Sequence, residues 1–132
     1  HRNSFLDARR HLHPWMEFRG RTGLFFAGQI TGVEGYVASI ASGLVASVSA
    51  QRGNSGKDPR PFPRESMIGA LMERITTPGT GLPQPMNANF GLLPEVSARR
   101  KRDRKERKAE AALAALHRAA GRDGDVGASE GG

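Results

Sequence analysis

Apolar residues in this chain first gather at Leu24-Phe25-Phe26-Ala27, four in a row closed by Gly28. A continuous run of that length, bounded by glycine, predicts a strand buried on both faces of a parallel sheet. From Val33 onward the period changes. Val33, Val37, Ile40, Leu44 and Val48 recur at three- and four-residue steps, which predicts one stripe of a helix. Between them lie Ala38, Ser39, Ala41, Ser42, Gly43 and Ala46, small side chains that let a helix lie close to a sheet or to a bound molecule. A glycine inside a helix costs roughly 1 kcal/mol relative to alanine, so Gly43 predicts close packing at its position. The expected order is strand, glycine loop, helix.

Upstream, residues His1 to Arg19 are mixed, and Trp15, Met16 and Phe18 are expected to pack against neighbouring structure as a short strand before a turn at Gly20 to Gly23. Gln51 to Pro61 reads as a loop from its glycine, asparagine and proline content. Arg64 to Thr76 returns to helical spacing, with Met67, Ile68, Leu71 and Ile75 on one side, Pro63 at a suitable start position and Pro78 as the stop. Thr77 to Pro94 is long, rich in proline and glycine, and of a length that calls for a packing surface or a function. Within it, Asn87 and Asn89 either shape turns through their side chains or present amides to a polar ligand edge, with Phe90 as an apolar wall. Ser97 to Ala120 is built from strong helix formers, basic first and apolar afterwards. Gly121 to Gly132 has too little apolar content to order itself and reads as a disordered tail.

Composition narrows the classes. Of 132 residues 37% are hydrophobic, and 17 glycines with 8 prolines leave only a thin core. Cysteine is absent, which excludes disulfides, thiolate metal sites and cysteine nucleophiles within the chain. His1, His11 and His13 lack partners at ligand spacing, so no metal site is expected. There is no leader pattern, and the longest mostly apolar segment, Tyr36 to Ala50, is too short to span a bilayer. A soluble cytoplasmic protein without membrane contact is the expectation. Because the sequence opens on His1, it reads as a piece of a longer polypeptide whose amino-terminal part is missing. The formal charge of +7 is concentrated in Arg99, Arg100, Lys101, Arg102, Arg104, Lys105, Arg107 and Lys108. Such a run attracts polyanions such as RNA, or it is simply a solvated helix face.

The glycine loop carries the most chemistry. Gly28, Gly32 and Gly35 are spaced G-x-x-x-G-x-x-G, unlike the dinucleotide fingerprint G-x-G-x-x-G. Their placement is more informative than their spacing, because α/β sheets bind ligands where a strand end meets a helix start. Unpaired N–H groups there carry partial positive charge and hold an anion or an electron-rich carbonyl. Gln29 offers both donor and acceptor to a polyol hydroxyl, and Glu34 is expected in the first helical turn, where its charge suits the dipole.

Five segments together bear a family likeness: "HRNSF" at His1 to Phe5, "LFFAGQITGVEGYVASIASGL" at Leu24 to Leu44, "FPRES" at Phe62 to Ser66, "ITTP" at Ile75 to Pro78 and "QPMNANFGLLP" at Gln84 to Pro94. In this order they resemble the carboxyl-terminal part of the folate- and FAD-dependent tRNA (uracil-5-)-methyltransferase family, TrmFO. The resemblance implies an enzyme that takes a methylene group from 5,10-methylenetetrahydrofolate, reduces it through FAD with NAD(P)H and places the methyl on C5 of the tRNA T-loop uridine. It assigns flavin contact to Gly28, Gln29, Gly32, Val33, Glu34, Gly35 and Tyr36. A reduced flavin is negative along its pyrimidine edge, which agrees with the helix-end argument.

The implied fold is α/β: the carboxyl-terminal fragment of a Rossmann-like FAD-binding domain over residues 1–94, mostly helical with a short parallel-sheet strand, then a basic amphipathic helix over 95–120 and the tail over 121–132. The family's dinucleotide fingerprint and cysteine chemistry have no counterpart here, so no catalytic residue is expected in this piece and the chain alone should not transfer methyl groups. Ala38 and Ile40 stand where similar sequences tend to carry glutamate and alanine. Two other readings stay open: the related flavoprotein of wobble-uridine modification, the MnmG or GidA type, with a similar "LFFAGQ", and a small basic RNA-binding module. "ITGVEGYV" and "QPMNANFGLLP" favour the methyltransferase over the first. The second leaves the glycine loop unexplained.

Overall fold

Helices carry most of the regular backbone in the computed structural model, which describes residues 4–79, 86–95 and 101–130. Helix α1 (Ala8–His11) is a single turn, and Leu12 leaves it in extended conformation. The chain then doubles back: Leu12 pairs with Phe18 and Glu17 with Phe25, both antiparallel. His13 N–H donates to the Glu17 carbonyl at 2.9 Å, Phe18 N–H to Leu24 at 2.8 Å and Phe26 N–H to Met16 at 3.0 Å. Met16 sits in the turn with φ 67 and is fully buried, so its side chain is held in the core by a backbone conformation uncommon for a non-glycine residue.

These pairings correct one expectation. Leu24–Ala27 is not a parallel strand among the described residues; it makes an antiparallel bridge through Phe25, with Leu24 and Ala27 exposed. A parallel strand needs neighbours delivered by long crossovers, and this segment meets its own hairpin instead. The one parallel bridge among the described residues joins Val33 to Met86. The architecture described is therefore mostly helical, without the predicted parallel sheet.

Helix α2 (Tyr36–Asn54) starts three residues later than the apolar period suggests and turns the opposite face inward. Ala38, Ser42, Val45, Ala46 and Ser49 are buried, whereas Val37, Ile40 and Leu44 are 78%, 72% and 47% exposed. The inward face is made mostly of the small residues, with Val45 among them, while Val37, Ile40 and Leu44 of the predicted stripe stay outside. Nor is Gly43 closely packed: a Cβ built there would meet nothing within 4 Å.

Helix α3 (Met67–Thr76) is capped by Ser66, whose Oγ accepts the Gly69 N–H at 3.0 Å and donates to the Pro63 carbonyl at 2.6 Å. A cap of this kind contributes about 1 kcal/mol. Leu71, Met72 and Ile75 from α3 meet Ala8, Leu12, Met16, Val33, Val45 and Ala46, with Phe18, Phe25, Phe26 and Phe62 packed around them. Full burial of one such large side chain is worth about 1.5–3 kcal/mol. Gly69 has no room for a Cβ, which would run into the carbonyl oxygens of Phe62 and Pro63.

Helix α4 (Lys101–Glu130) continues past Ala120, where the sequence predicts a disordered tail. Once a helix is nucleated, each added residue gains a backbone hydrogen bond, and the alanine-rich stretch before Gly121 carries the ladder onward. Ala115 is buried, and Leu116, Ala119 and Ala120 line an apolar cavity of about 270 Å³ with Val48 and Phe62.

A matched pair of substitutions tests this packing. Gly43→Ala should raise stability by about 0.5–1 kcal/mol, the helix-propensity gain at an uncrowded site. Gly69→Ala should lower it by roughly 1–3 kcal/mol through overpacking. Urea unfolding of the chain followed by far-ultraviolet circular dichroism reads both, and equal effects would contradict the described contacts.

Candidate functional site

Between the hairpin and α2 the chain makes a 3-10 turn (Gln29–Thr31) and two sharp reversals, all set by glycine. Gly28 (φ 81), Gly32 (φ 90) and Gly35 (φ 87) lie in the left-handed region that L side chains seldom enter. The Gly28 carbonyl accepts both the Thr31 N–H at 3.0 Å and the Thr31 hydroxyl at 2.7 Å. Gly32 N–H donates to the Gln29 carbonyl at 3.0 Å, and Leu6 N–H to Ile30 at 2.6 Å. The loop is thus tied from within and from the amino-terminal segment.

Its anchor to α2 is Ser42. The fully buried Ser42 Oγ accepts the Gly28 N–H at 2.7 Å and donates to the Ser39 carbonyl at 2.7 Å. From the sequence Ser42 reads only as a small residue on a helix, and nothing in its spacing marks it as a partner of a glycine fourteen positions earlier. Downstream, Glu34 N–H donates to Met86 and Met86 N–H to Gly32, each at 2.9 Å.

What remains open is the start of α2. Gly35 supplies no side-chain cap, and Tyr36 and Val37 are 91% and 78% exposed. Their N–H groups have no acceptor among the described residues. First-turn N–H groups of this kind concentrate the positive end of the helix dipole, here without a side-chain acceptor over it. The site can therefore donate hydrogen bonds to an anionic or electron-rich ligand edge.

The described residues include most of the sequence-derived candidates. Gln29 and Tyr36 are exposed on the loop and at the helix start. Glu34 is exposed but precedes the N-cap Gly35, so it lies outside the first turn in which it was expected. Val33 is only 2% exposed, and its side chain belongs to the core; a ligand would meet its backbone at most. Asn87 is brought to the helix start, with its Oδ1 3.0 Å from where a Cβ on Gly35 would sit. Asn89 takes the turn-shaping role, its Oδ1 accepting the Gly91 N–H at 2.9 Å. The side chain of Phe90 lies outside the described residues.

The basic run divides. Arg99 and Arg100, and the side chain of Lys101, lie outside the described residues. Arg102, Arg104, Lys105 and Arg107 are exposed, with Arg102 paired to Glu106 at 3.2 Å one helical turn on. Lys108 is different. It is 6% exposed, and its Nζ donates to the Leu93 carbonyl at 3.2 Å and to Glu95 at 3.1 Å. That ammonium is engaged in docking α4 and is withdrawn from any polyanion surface, which corrects its place in the RNA-facing set.

Beside the loop lies a cavity of about 330 Å³ between Phe5–Arg9, Thr31–Gly32 and the end of α3, where Arg74 and Thr77 contribute. No helix among the described residues is long and apolar enough to cross a membrane.

The anchor is open to test. Ser42→Ala leaves the Gly28 N–H without its buried partner, which should cost about 1–3 kcal/mol. Amide exchange at Gly28 should accelerate more than exchange in α3; uniform acceleration would assign Ser42 to packing alone.

The family model described as "GIDA: Glucose inhibited division protein A" matches residues 1–58, the amino-terminal segment, the glycine loop and α2. A "Methylenetetrahydrofolate--tRNA-(uracil-5-)-methyltransferase TrmFO" of Symbiobacterium thermophilum is 51% identical over 108 residues, 82% of this chain and 24% of that relative. Proteins of the same name from Listeria innocua and Bacillus subtilis are each 48% identical, over 91% and 86% of this chain. The chain spans about a quarter of the length of these relatives, 24% to 28%. With about half of the aligned residues identical along most of its length, the chain is related to the TrmFO proteins, and over residues 1–58 to the GIDA model.

Proposed function

We propose that this chain is the carboxyl-terminal part of an FAD-binding unit in a protein that methylates C5 of the tRNA T-loop uridine with 5,10-methylenetetrahydrofolate, in the cytoplasm. The observation that carries the reading is the uncapped, exposed start of α2 immediately after three left-handed glycines. When bound, FAD would supply the electrons that reduce the folate-borne methylene to methyl, with NAD(P)H as their source. Gly28 and Gln29 would meet its polyol and pyrophosphate portion, and the N–H groups opening α2 its electron-rich ring edge. Gly32 and Gly35 let the main chain approach without side chains in the way, and Asn87 stands beside that approach.

The same reading accounts for the outward apolar face of α2. Val37, Ile40 and Leu44 are exposed in a chain that spans a quarter of its relatives, and the surface proposed to cover them, and to complete a Rossmann-like domain, is a further part of a longer polypeptide. The match to the GIDA model keeps the wobble-uridine flavoprotein as the second reading; the names of the relatives favour the first. Arg104, Lys105 and Arg107 on α4 form a basic face proposed to meet tRNA phosphates.

Two experiments on the complete polypeptide test these points. Gly35→Val places a branched side chain at φ 87 and against Asn87, strain of about 1–3 kcal/mol. It should weaken FAD retention about tenfold or more, measured as flavin absorbance per protein after dialysis. Full occupancy would remove Gly35 from the site. Reversing Arg104, Lys105 and Arg107 should reduce tRNA affinity and flatten its dependence on salt, the slope of log K falling by roughly 2. An unchanged slope would leave α4 a solvated face.

A further inference from the structure

The hairpin that precedes the glycine loop carries side chains that neither the core nor the proposed flavin site uses. His13 and Trp15 stack face to face, with ring centroids 4.4 Å apart and planes 5° from parallel. Both are half-buried, so part of the pair stays open to solvent. Trp15 Nε1 donates to Glu17 Oε1 at 3.3 Å, and the other oxygen of the same carboxylate accepts the Gly23 N–H at 3.1 Å. Glu17 thereby fixes the indole and has its own charge tied to the turn.

Apart from the Glu17 carboxylate at the pair itself, the exposed charged side chains of residues 10–23 are basic. Arg10, Arg19 and Arg21 are exposed, while the nearby Asp7 is engaged by Arg9 at 3.2 Å. Arg19 is close enough to His13 to act on it: burial, then the Arg19 charge, hold the imidazole below its usual range, against an opposing pull from Glu17. His13 is thus held toward its neutral, uncharged form, the form that lies flat on an indole without adding a competing cation.

A stacked aromatic pair with Arg19 close to it, on a stretch that also exposes Arg10 and Arg21, has the chemistry that recognises single-stranded nucleic acid. Bases stack on the aromatic plane, at about 1–3 kcal/mol per base, and guanidinium groups follow the phosphates. Acidic protein or lipid surfaces would use the arginines alone and leave the stacked pair unexplained. We infer that the His13–Trp15 pair with Arg10, Arg19 and Arg21 is a contact surface for an unpaired base and its flanking phosphates in the RNA substrate. The inference rests on the proposed tRNA activity and adds to it a second RNA contact, separate in sequence from α4.

The test uses the complete, flavin-loaded polypeptide and a fluorescently labelled T-arm stem-loop RNA, with affinity read by anisotropy across a salt series. Trp15→Ala should weaken binding by roughly 5- to 100-fold, the range of one lost stacking contact, with the salt slope unchanged. Trp15→Phe should restore part of it. Arg10, Arg19 and Arg21 changed together to glutamate should lower the slope by roughly 2 or more. Flavin content and thermal melting identify any variant that fails to fold, and Trp15→Phe with the arginine variant then decides. Wild-type affinity and slope in both variants would overturn the surface while leaving the methyltransferase reading intact. No RNA binding by the unchanged protein would overturn both. Loss shared equally with heparin, together with no effect at Trp15, would reduce the patch to general polyanion attraction and overturn the inference.

Discussion

The hydrogen bond from Gly28 N–H to Ser42 Oγ decides where the loop stands relative to the helix that follows it. Gly28 leaves the hairpin with a left-handed φ and would otherwise present a buried, unpaired donor to the side of α2. Ser42 removes that cost and passes its own proton to the Ser39 carbonyl, so both groups are satisfied inside the helix face. With this end fixed, the 3-10 turn and the Gly32–Met86–Glu34 exchange leave the start of α2 as the place where donors remain unspent. The openness of that helix start is therefore a consequence of how completely the rest of the loop is tied.

The same bond explains why the small face of α2 turns inward. Ser42 must lie over Gly28, which commits Ala38, Val45, Ala46 and Ser49 to the same side and puts Val37, Ile40 and Leu44 outside. Each of those outward residues stands to gain up to about 1.5–3 kcal/mol from full burial, so a helix with apolar groups on both faces is one meant to lie between two layers. The described chain provides one layer. Its relatives, more than three times as long, provide room for the other.

How far the sequence could be read depends on how local the cause is. Gly28, Gly32 and Gly35 were legible because left-handed backbone is a property of the residue itself, and helices α2 and α3 because their periods, and for α3 its proline boundaries, are written in adjacent residues. The inward side of α2 was not legible, since apolar spacing defines a stripe without saying which layer meets it first. The misassigned strand at Leu24–Ala27 has the same root: an apolar run is equally suited to a hairpin partner and to a parallel neighbour, and only the partner's position distinguishes them. Ser42 and Lys108 escaped for a different reason. Their roles are made by contacts to Gly28 and Leu93, fourteen and fifteen residues away, and neither contact has a sequence period.

Lys108 also shows why a charge run is a poor unit of function. Its ammonium is taken into the protein by a carbonyl and a carboxylate, so the residue stabilises the seat of α4 while the arginines a turn earlier stay exposed. Burial of a paired cation is tolerated when its hydrogen bonds are filled, and here Leu93 and Glu95 are among its acceptors. The consequence is geometric. By pinning the end of the basic stretch to residues 93–95, Lys108 fixes which side of α4 turns away from the protein, and any polyanion drawn to this helix must approach from that side.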